Sequence, residues 1–475
     1  MKKIYGTLLS VLILLSALQL SAQPMKASKV KKPAYFDVSK KLSEIKPIEL
    51  GIIKRNWKDR VIPNKFNYRD QFIKETKSDF SDPVLQSFSL GSRNDVEIDQ
   101  NFAGISNSYG VAPPDTDGDV SLNHYMQMVN NGFAIWDKKG TLLYGPADNS
   151  TLWEGFQGPW SSTNDGDPIV IYDEYAERWI ASQFAMPYYP LGPYYELVAV
   201  SANSDPTGEC DRYAYEFSKK PEYPTLGVWN HRYYFTINQI AIAANWAGGG
   251  ICALNKDIKL IGDPDAEMFF FYMGYSYGSL LPSDADGTLQ PPVESPAYFV
   301  NMGDNVLRVW EVEMDWENMN NSTVTLIDNL PTQPYASNNI SIRQPETDQR
   351  LSPLAGRLLY RLQYRNFNDY EVMVTNHTVN AGGGRAGVRW YELRKYNDDW
   401  EIYQQGTYAL DDGENRWMGS VAMNQYGDIA VGYSVSSTNT YPSIRFAGQS
   451  KANSGSGILD IPETSIYEGS KSQTG

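Results

Sequence analysis

Short runs of apolar and aromatic residues, separated by Gly, Pro, Asn and Asp, make up the chain from residue 78 onward. PIVIYD (168–173) and RYYFTIN (232–238) are examples of such runs, and apolar and polar positions alternate in places. A run of this length that is bounded by turn residues predicts a β-strand. The pattern therefore predicts an all-β protein.

The predicted strands fall into six sets of three or four, which recur at intervals of roughly 50 to 70 residues. The clearest sets cover 168–217, 225–272 and 356–410, and shorter sets lie at 118–145, 296–327 and 416–448. A repeat of four-stranded sheets leaves this pattern, because each blade of a β-propeller contributes one sheet. We therefore predict a β-propeller of about six to seven four-stranded blades.

Bulky aromatic residues in these sets are expected to pack between blades, and we name Trp179, Tyr233, Phe269, Trp310 and Trp390 for this role. The alternative fold is a pair of β-sandwich domains, which would need a linker near the middle of the chain. The stretch 275–296 is the candidate, but its sequence is more typical of a decorated loop.

Charge divides the chain of 475 residues into two unlike parts. The net charge is -15, but residues 24–77 carry +9 and residues 78–475 carry -26. A strongly acidic body excludes nucleic-acid binding by the whole chain, because phosphate contacts need a basic surface. We predict a basic N-terminal extension and lead-in over 23–100 and a propeller domain over 101–475.

The first 22 residues have the three parts of a secretory signal peptide. Lys2 and Lys3 are followed by an apolar run from Leu8 to Leu20 and by small residues that end at Ala22. The run is shorter than the roughly 20 residues that span a bilayer. We expect export to the cell surface or the medium through the periplasm, and no transmembrane segment in the mature chain.

Cysteine and histidine are scarce. Cys210 and Cys252 are the two cysteines, and they either form a disulfide in an oxidising compartment or stay as buried thiols. The three histidines are far apart, and no Cys-x-x-Cys occurs. A zinc site is therefore not expected, and any metal should be a hard cation held by oxygen.

The sharpest motif is PPDTDGDVSLNHY, in which Asp115, Asp117, Asp119 and Asn123 occupy positions 1, 3, 5 and 9. Alternate oxygen side chains on a tight loop can converge on Ca²⁺, which takes about six to eight oxygen ligands. The motif departs from the EF-hand, since its glycine is at position 4 and Met126 is at position 12. We predict a structural calcium site here, and the alternative is an ordinary Asp/Gly turn.

A second group of charged residues precedes strands in several sets. Asp165 and Asp167 come directly before one strand, and Arg357 and Arg416 precede strands in later sets. If these strands are the innermost ones, their side chains lie near one mouth of a central channel and form a candidate ligand-binding group. They could equally neutralise one another. LLPSDADG (280–287) is a weaker acidic loop of the same type.

Common catalytic signatures do not occur: no Gly-x-Ser-x-Gly, P-loop, GxGxxG or HExxH is present. Repeated sialidase boxes are also missing. A glycoside hydrolase remains possible as an alternative, because its two carboxylates are neighbours in space and need not be neighbours in sequence. Such an enzyme needs two acids roughly 5 to 10 Å apart, one with a raised pKa.

Several strings resemble, as a set, a family of large secreted Bacteroidetes-type proteins that are propeller-like and have no assigned function. They include GVAPPDTDGDVSLNHYMQMVN, NDGDPIVIYDEYAERWIASQFA, GVRWYELR and RWMGSVAMNQYGDIAVGYSVSS. The resemblance covers about residues 100–475 and implies export and a repeated β fold, but no catalytic residues. It also implies a truncated last blade, since family members continue with an Arg-Trp-Gly-Asp-Tyr-Ser segment that this sequence does not reach.

These inferences combine into two hypotheses of different classes. The first is a secreted or cell-surface propeller, expected as a monomer, that binds a glycan, a cell-envelope polymer or a protein without catalysis. The alternative is a carbohydrate-active hydrolase that uses acidic residues at the channel mouth.

Overall fold

The computed structural model describes residues 23–51, 80–90, 97–106, 113–242, 245–397 and 399–474. Regular structure in these ranges is nearly all β-strand, and the α-helix among them is α1 (Lys256–Leu260). None of the helices in these ranges is long and apolar enough to cross a membrane. The predicted leader, 1–22, lies outside the described residues.

Four short strands precede the repeated sheets. They are β1 (Met25–Lys26), β2 (Lys29–Lys31), β3 (Tyr35–Val38) and β4 (Leu85–Gln86). We call β1, β2 and β3 the strap strands.

Six sheets of four consecutive antiparallel strands follow, and we call them blades 1 to 6. Blade 1 contains β5 (Asp117–Val120), β6 (His124–Val129), β7 (Gly132–Asp137) and β8 (Leu142–Asp148). Blade 2 contains β9 (Ile169–Asp173), β10 (Arg178–Ala185), β11 (Tyr194–Ser201) and β12 (Cys210–Phe217). Blade 3 contains β13 (Lys220–Trp229), β14 (Arg232–Ala241), β15 (Asn245–Asn255) and β16 (Met268–Tyr272). Blade 4 contains β17 (Leu281–Asp286), β18 (Ala297–Gly303), β19 (Val306–Glu313) and β20 (Thr323–Pro331).

A two-stranded hairpin separates blade 4 from blade 5 and consists of β21 (Ile342–Gln344) and β22 (Thr347–Leu351). Blade 5 contains β23 (Leu359–Asn366), β24 (Glu371–Asn380), β25 (Ala386–Tyr396) and β26 (Asp399–Tyr408). Blade 6 contains β27 (Asn415–Met423), β28 (Ile429–Ser436), β29 (Ser443–Gln449) and β30 (Ile461–Tyr467). The sixth sheet thus has four strands.

The first strands of consecutive blades are neighbours, from β5 through β9, β13, β17 and β23 to β27. β17 and β23 even pair in parallel, with Ser283 opposite Leu362. First strands side by side, with the other strands of each sheet outside them, are the arrangement of a β-propeller. The predicted fold class is therefore confirmed, and each of the six predicted sets of strands corresponds to one blade. The alternative of two sandwiches is wrong, because 275–296 contains the first strand of blade 4.

Large aromatic side chains fill the spaces between blades. Trp229 of blade 3 meets Tyr298 of blade 4 and Tyr364 of blade 5, with ring centroids 5.7 and 4.6 Å apart. The aromatic residues that were expected to pack between blades are all buried, with 3% or less of each exposed: Trp179, Tyr233, Phe269, Trp310 and Trp390.

The strap strands run backwards along the outer edges of the blades. β1 pairs with β20 of blade 4, β2 with β16 of blade 3 and β3 with β12 of blade 2. The chain then reaches blade 1, where the carbonyl of Ile48 accepts the N–H of Asp148. Within the predicted basic extension, residues 23–51 are attached to the propeller through the backbone pairing of these three strands. Residues 52–77 of the basic part lie outside the described residues.

Cys210 and Cys252 are free thiols, on β12 and β15 respectively. Burial raises the pKa of Cys210 to about 12. Of the two possibilities that the sequence left open, the structure has the pair of thiols.

Candidate functional site

Two aspartates on the first strand of blade 1 face the first strand of blade 2. Asp117 and Asp119 alternate along β5, so their side chains leave the strand on the same face. The Oδ2 atom of Asp117 accepts the backbone N–H of Val170, and that of Asp119 accepts the N–H of Tyr172, both at 2.8 Å. These carboxyls therefore tie two blades together near the axis.

Two aspartates on the first strand of blade 4 repeat this arrangement. Asp284 and Asp286 alternate along β17, and the Oδ1 atom of Asp284 accepts the N–H of Val228 in blade 3 at 2.9 Å. The Oδ2 atom of Asp286 accepts a hydrogen bond of 2.7 Å from Nε2 of Gln363 in blade 5. Four carboxyl groups from blades 1 and 4 thus lie on first strands.

One arginine joins the two pairs. Arg361, on β23 of blade 5, places one guanidinium nitrogen 2.9 Å from Asp119 and the other 3.0 Å from Asp284 and 4.0 Å from Asp286. Its side chain therefore reaches from blade 5 to carboxyls of both blade 1 and blade 4. We call Asp117, Asp119, Asp284, Asp286 and Arg361 the axial cluster.

The side chains of the axial cluster are mostly buried, but some keep a small exposed fraction. The side chains of Arg361, Asp119 and Asp286 are 17%, 14% and 15% exposed, whereas that of Asp284 is 3% exposed. Solvent therefore reaches the guanidinium and the carboxyls of Asp119 and Asp286, while Asp284 is largely shielded from water.

Burial changes the acidity of the cluster. Desolvation raises the pKa of Asp117 to about 7 and that of Asp284 to about 8, against the opposing effect of Arg361. The same causes, with Asp119 as a further negative neighbour, raise the pKa of Asp286 to about 6. These shifts favour the protonated form of Asp284 more than that of Asp286 at neutral pH. Acids whose pKa values are pushed apart at one site are suited to general acid–base chemistry.

Three of the predicted ligand-binding residues lie where the first strands begin. Asp165 is buried and accepts the N–H of Met186 at 2.7 Å. Asp167 accepts the N–H of Tyr223 at 3.3 Å, and the guanidinium of Arg357 lies 4.4 Å from the centre of the Tyr223 ring. Burial, followed by the charges of Glu222 and Asp115, raises the pKa of Asp167 well above its usual range.

Arg416, the fourth predicted ligand-binding residue, is not part of this group. Its side chain is fully buried in blade 6, where it forms ion pairs with Asp412 at 2.6 Å and Glu463 at 2.7 Å. Because its guanidinium is committed to these carboxylates, we assign Arg416 a structural role.

The four predicted calcium ligands lie before, on and after the extended strand β5. Asp117 and Asp119 lie on an extended strand and bind backbone N–H groups of blade 2. Asp115 precedes this strand and accepts a hydrogen bond from Asn130 at 2.6 Å, while Asn123 is exposed in the turn that follows it. An extended strand separates the ends of the motif, where a calcium loop would fold them together. Calcium binding itself stays a prediction.

Within the described parts of the chain, one group of three acidic side chains is close enough to share a cation: Asp412, Glu414 and Glu463. Arg416 and Arg445 already contact these carboxylates, at 2.6 to 3.0 Å for their shortest pairs. The group is therefore neutralised by arginine.

Left-handed backbone recurs where the first strands begin. Asp115, Asp167, Tyr223 and Ser279 have φ angles of 38°, 47°, 52° and 46°. Asp115, Asp167 and Ser279 lie two residues before β5, β9 and β17, and Tyr223 lies within β13 where its pairing with β14 is interrupted. Residues other than glycine rarely adopt this conformation, and it concentrates at functional sites. The aspartates before β5 and β9 were noticed in the sequence, but Tyr223 and Ser279 carry no pattern that marks them.

Arg361 was also missed. It lies within a predicted strand and 242 residues from Asp119, so no local motif joins them. Asp119 was read as a metal ligand, and Asp284 and Asp286 as a weak acidic loop. Only the ring arrangement brings these residues together.

No family model and no curated protein matches this chain. Among solved structures, it is similar to an exo-β-1,3-galactanase from Clostridium thermocellum at 12% identity, over 73% of this chain and 80% of that one, with a TM-score of 0.32. An endo-arabinase from Bacteroides thetaiotaomicron matches at 12% identity over 58% of this chain and 92% of its own, with a TM-score of 0.29. An α-L-arabinanase from Cellvibrio cellulosa matches at 10% identity over 73% and 94%, with a TM-score of 0.30. Similarities of this size carry no argument about chemistry, and the propeller arrangement rests on the six sheets themselves.

Proposed function

We propose that this protein is a carbohydrate-active propeller that hydrolyses a glycosidic bond at the axial cluster. The observation that carries the proposal is the meeting of two carboxyls, Asp284 and Asp286, at one nitrogen of the partly exposed Arg361 guanidinium, with burial raising their pKa values unequally. Export of the protein, as the leader predicts, would bring this site to glycans of the cell envelope or the medium.

The spacing of the two acids supports this chemistry. The same nitrogen of Arg361 lies 3.0 Å from Asp284 and 4.0 Å from Asp286, so these two carboxyl oxygens are at most about 7 Å apart. Carboxyl groups about 5 to 5.5 Å apart serve retaining glycosidases, and those about 6.5 to 9.5 Å apart serve inverting ones. Both outcomes fit within this limit, and the configuration of the product distinguishes them.

The roles follow from the two environments. Asp284, the carboxyl with the higher pKa, donates its proton to the leaving oxygen of the scissile bond, which has to enter between Arg361 and Asp286 to reach this shielded group. Asp286, which is ionised and more exposed, either attacks the anomeric carbon or removes a proton from the attacking water. Arg361 holds Asp119 and Asp284 in place and keeps a cation beside the carboxylate that forms when Asp284 loses its proton.

A panel of chromogenic glycosides and plant, algal and bacterial polysaccharides tests the proposal. We expect turnover of at least one substrate by the wild type, and a loss of about 100-fold or more in kcat for Asp284→Asn and Asp286→Asn. Asp348→Asn, on an exposed part of β22, is the matched control and should keep full activity. Thermal melting of each variant checks that the fold is retained.

Binding without catalysis is the second candidate, because the partly exposed polar groups of the axial cluster can hydrogen-bond a sugar in either case. If the wild type binds a glycan on an array but hydrolyses none, and Asp284→Asn binds it equally well, the catalytic proposal is wrong and the binding module is favoured.

A further inference from the structure

Arg357 differs from three other arginines of blades 5 and 6, which are paired with carboxylates. It lies two residues before β23, is half-buried, and forms no hydrogen bond or ion pair with any residue that the structure describes. Its guanidinium lies over the Tyr223 ring, 4.4 Å from the ring centre. By contrast, Arg361, Arg389 and Arg416 each hold at least one carboxylate at 3.0 Å or less. The guanidinium of Arg357 thus has hydrogen-bond donors to spare.

The carboxylates near Arg357 have other partners. Asp167 accepts the N–H of Tyr223, and Glu222 forms an ion pair of 2.5 Å with Lys220. Asp115 accepts a hydrogen bond from Asn130. None of these three carboxylates contacts Arg357 among the described residues, so its charge is not cancelled by a direct partner.

The backbone conformation of Tyr223 fixes the position of its ring beside Arg357. Tyr223 has a φ of 52°, in the left-handed region that a tyrosine seldom adopts, and its N–H is fixed by Asp167. Tyr223 belongs to blade 3 and Arg357 lies two residues before blade 5, so their contact joins two blades that are not consecutive. Strained residues that persist in a rigid frame often mark ligand sites.

The stacking decides what Arg357 can bind. The ring covers one face of the planar guanidinium, which leaves the N–H groups along its edges free to donate. A carboxylate matches this planar fork with two parallel hydrogen bonds, and a neutral hydroxyl does not.

Arg357 is also close enough to the axial cluster to act on the same ligand. Arg361 is four positions further along the chain, and strand backbone advances about 3.3 Å per residue, so the two Cα atoms are no more than about 13 Å apart. One oligosaccharide can therefore touch both arginines.

We propose that Arg357 and Tyr223 form a subsite for a carboxylate-bearing sugar, so that the preferred substrate is a uronate-containing glycan. This inference rests on the proposed function, since it places a uronate at Arg357 and Tyr223 while the scissile bond lies at the axial cluster. It makes the substrate class a polyanion, although the protein as a whole is acidic.

Matched pairs of oligosaccharides test the subsite. Oligomers of galacturonate, glucuronate and mannuronate are compared with their carboxyl-reduced counterparts, which keep the same linkages but replace each carboxylate by an alcohol. Binding is measured by calorimetry with wild type, Arg357→Gln, Arg357→Lys and the control Arg343→Gln, whose residue is exposed on β21. All four proteins also receive a sulfated neutral oligosaccharide.

We expect the wild type and Arg343→Gln to bind at least one uronate oligomer about tenfold or more tightly than its reduced form. Arg357→Gln should lose this preference, and Arg357→Lys should keep only part of it, because lysine lacks the planar fork. The inference is overturned if Arg357→Gln retains the preference, if it only lowers Tm, or if sulfate is bound and carboxylate is not. Loss of hydrolysis alone would instead contradict the proposed function, because carboxylate preference is measured by binding.

Discussion

Asp284 and Asp286 are two residues apart on one strand, yet their surroundings differ. Asp284 is nearly shielded from water, and Asp286 keeps 15% of its side chain exposed. Desolvation therefore raises the pKa of Asp284 to about 8 and that of Asp286 to about 6. Between these values one carboxyl is protonated and its neighbour is ionised, which divides the roles of acid and base.

The pH dependence of catalysis follows from this division. We expect kcat/KM to rise as pH increases through about 6, where Asp286 loses its proton, and to fall through about 8, where Asp284 loses its own. Initial rates on the best substrate of the panel, measured from pH 4 to 10, give the two limits. A rate that keeps rising above pH 9 would contradict the role of Asp284 as the acid.

Folding stability has its own pH dependence at Asp284. In the unfolded chain its pKa is about 3.9, and in the folded protein it is about 8, so the folded state holds the extra proton between these values. This contribution to stability is complete below pH 4 and is lost as pH rises toward 8. The side chain of the Asp284→Asn variant cannot ionise. We therefore expect its free energy of unfolding, measured with urea, to fall less steeply with pH in this range than that of the wild type, by up to about 1.4 kcal/mol per pH unit. Asp348→Asn should leave the slope unchanged.

At the scale of elements, the strap strands cover edges that the blades would otherwise expose. Outer strands of open sheets carry unpaired N–H and C=O groups, which promote aggregation. β3 covers β12 of blade 2 and adds a side-chain bond, because Asp37 forms a bidentate pair with Arg212 at 2.8 and 2.7 Å. The strap strands are therefore part of the sheets and not a free basic tail.

The Asp37 pair makes the contribution of the strap measurable. The Arg212 side chain is 3% exposed, so Asp37→Asn leaves a buried cation without its carboxylate, and we expect a loss of about 2 kcal/mol in the free energy of unfolding. The matched control is Asp265→Asn, since Asp265 binds Lys32 of the strap with side chains 70% and 58% exposed. Asp265→Asn should alter the free energy of unfolding by no more than about 0.5 kcal/mol, as is usual for exposed ion pairs. Equal effects of the two variants in urea unfolding would show that the strap contributes through backbone pairing alone.

At the scale of the whole molecule, the sequence predicted the blades well and the axis poorly. Each blade repeats apolar strands and turn residues within about 50 to 70 positions, so local patterns suffice to find it. Strands such as β2 (KVK, 29–31) cannot be found from an apolar pattern, because they pair through their backbone and bury little side-chain surface. The Asp-x-Asp pattern at Asp117 was interpreted as a loop for calcium, although its carboxyls bind the N–H groups of a neighbouring strand. Burial and ring geometry, which give these carboxyls their raised pKa values, are not visible in a local motif.

The side chain of Arg361 joins blade 5 to blades 1 and 4, so its loss should affect the stability of the whole ring. Arg361→Gln leaves Asp119, Asp284 and Asp286 without their cation, and we expect a loss of about 3 to 5 kcal/mol in stability at pH 8.5. At pH 5 the loss should be clearly smaller, since Asp284 and Asp286, with pKa values of about 8 and 6, are then mostly neutral and need no cation. Urea unfolding followed by tryptophan fluorescence at both pH values, with Arg343→Gln as the control, measures the difference. The same loss at both pH values would mean that Arg361 stabilises the ring by packing and hydrogen bonding, and that the charge of the cluster has no part in holding the blades together.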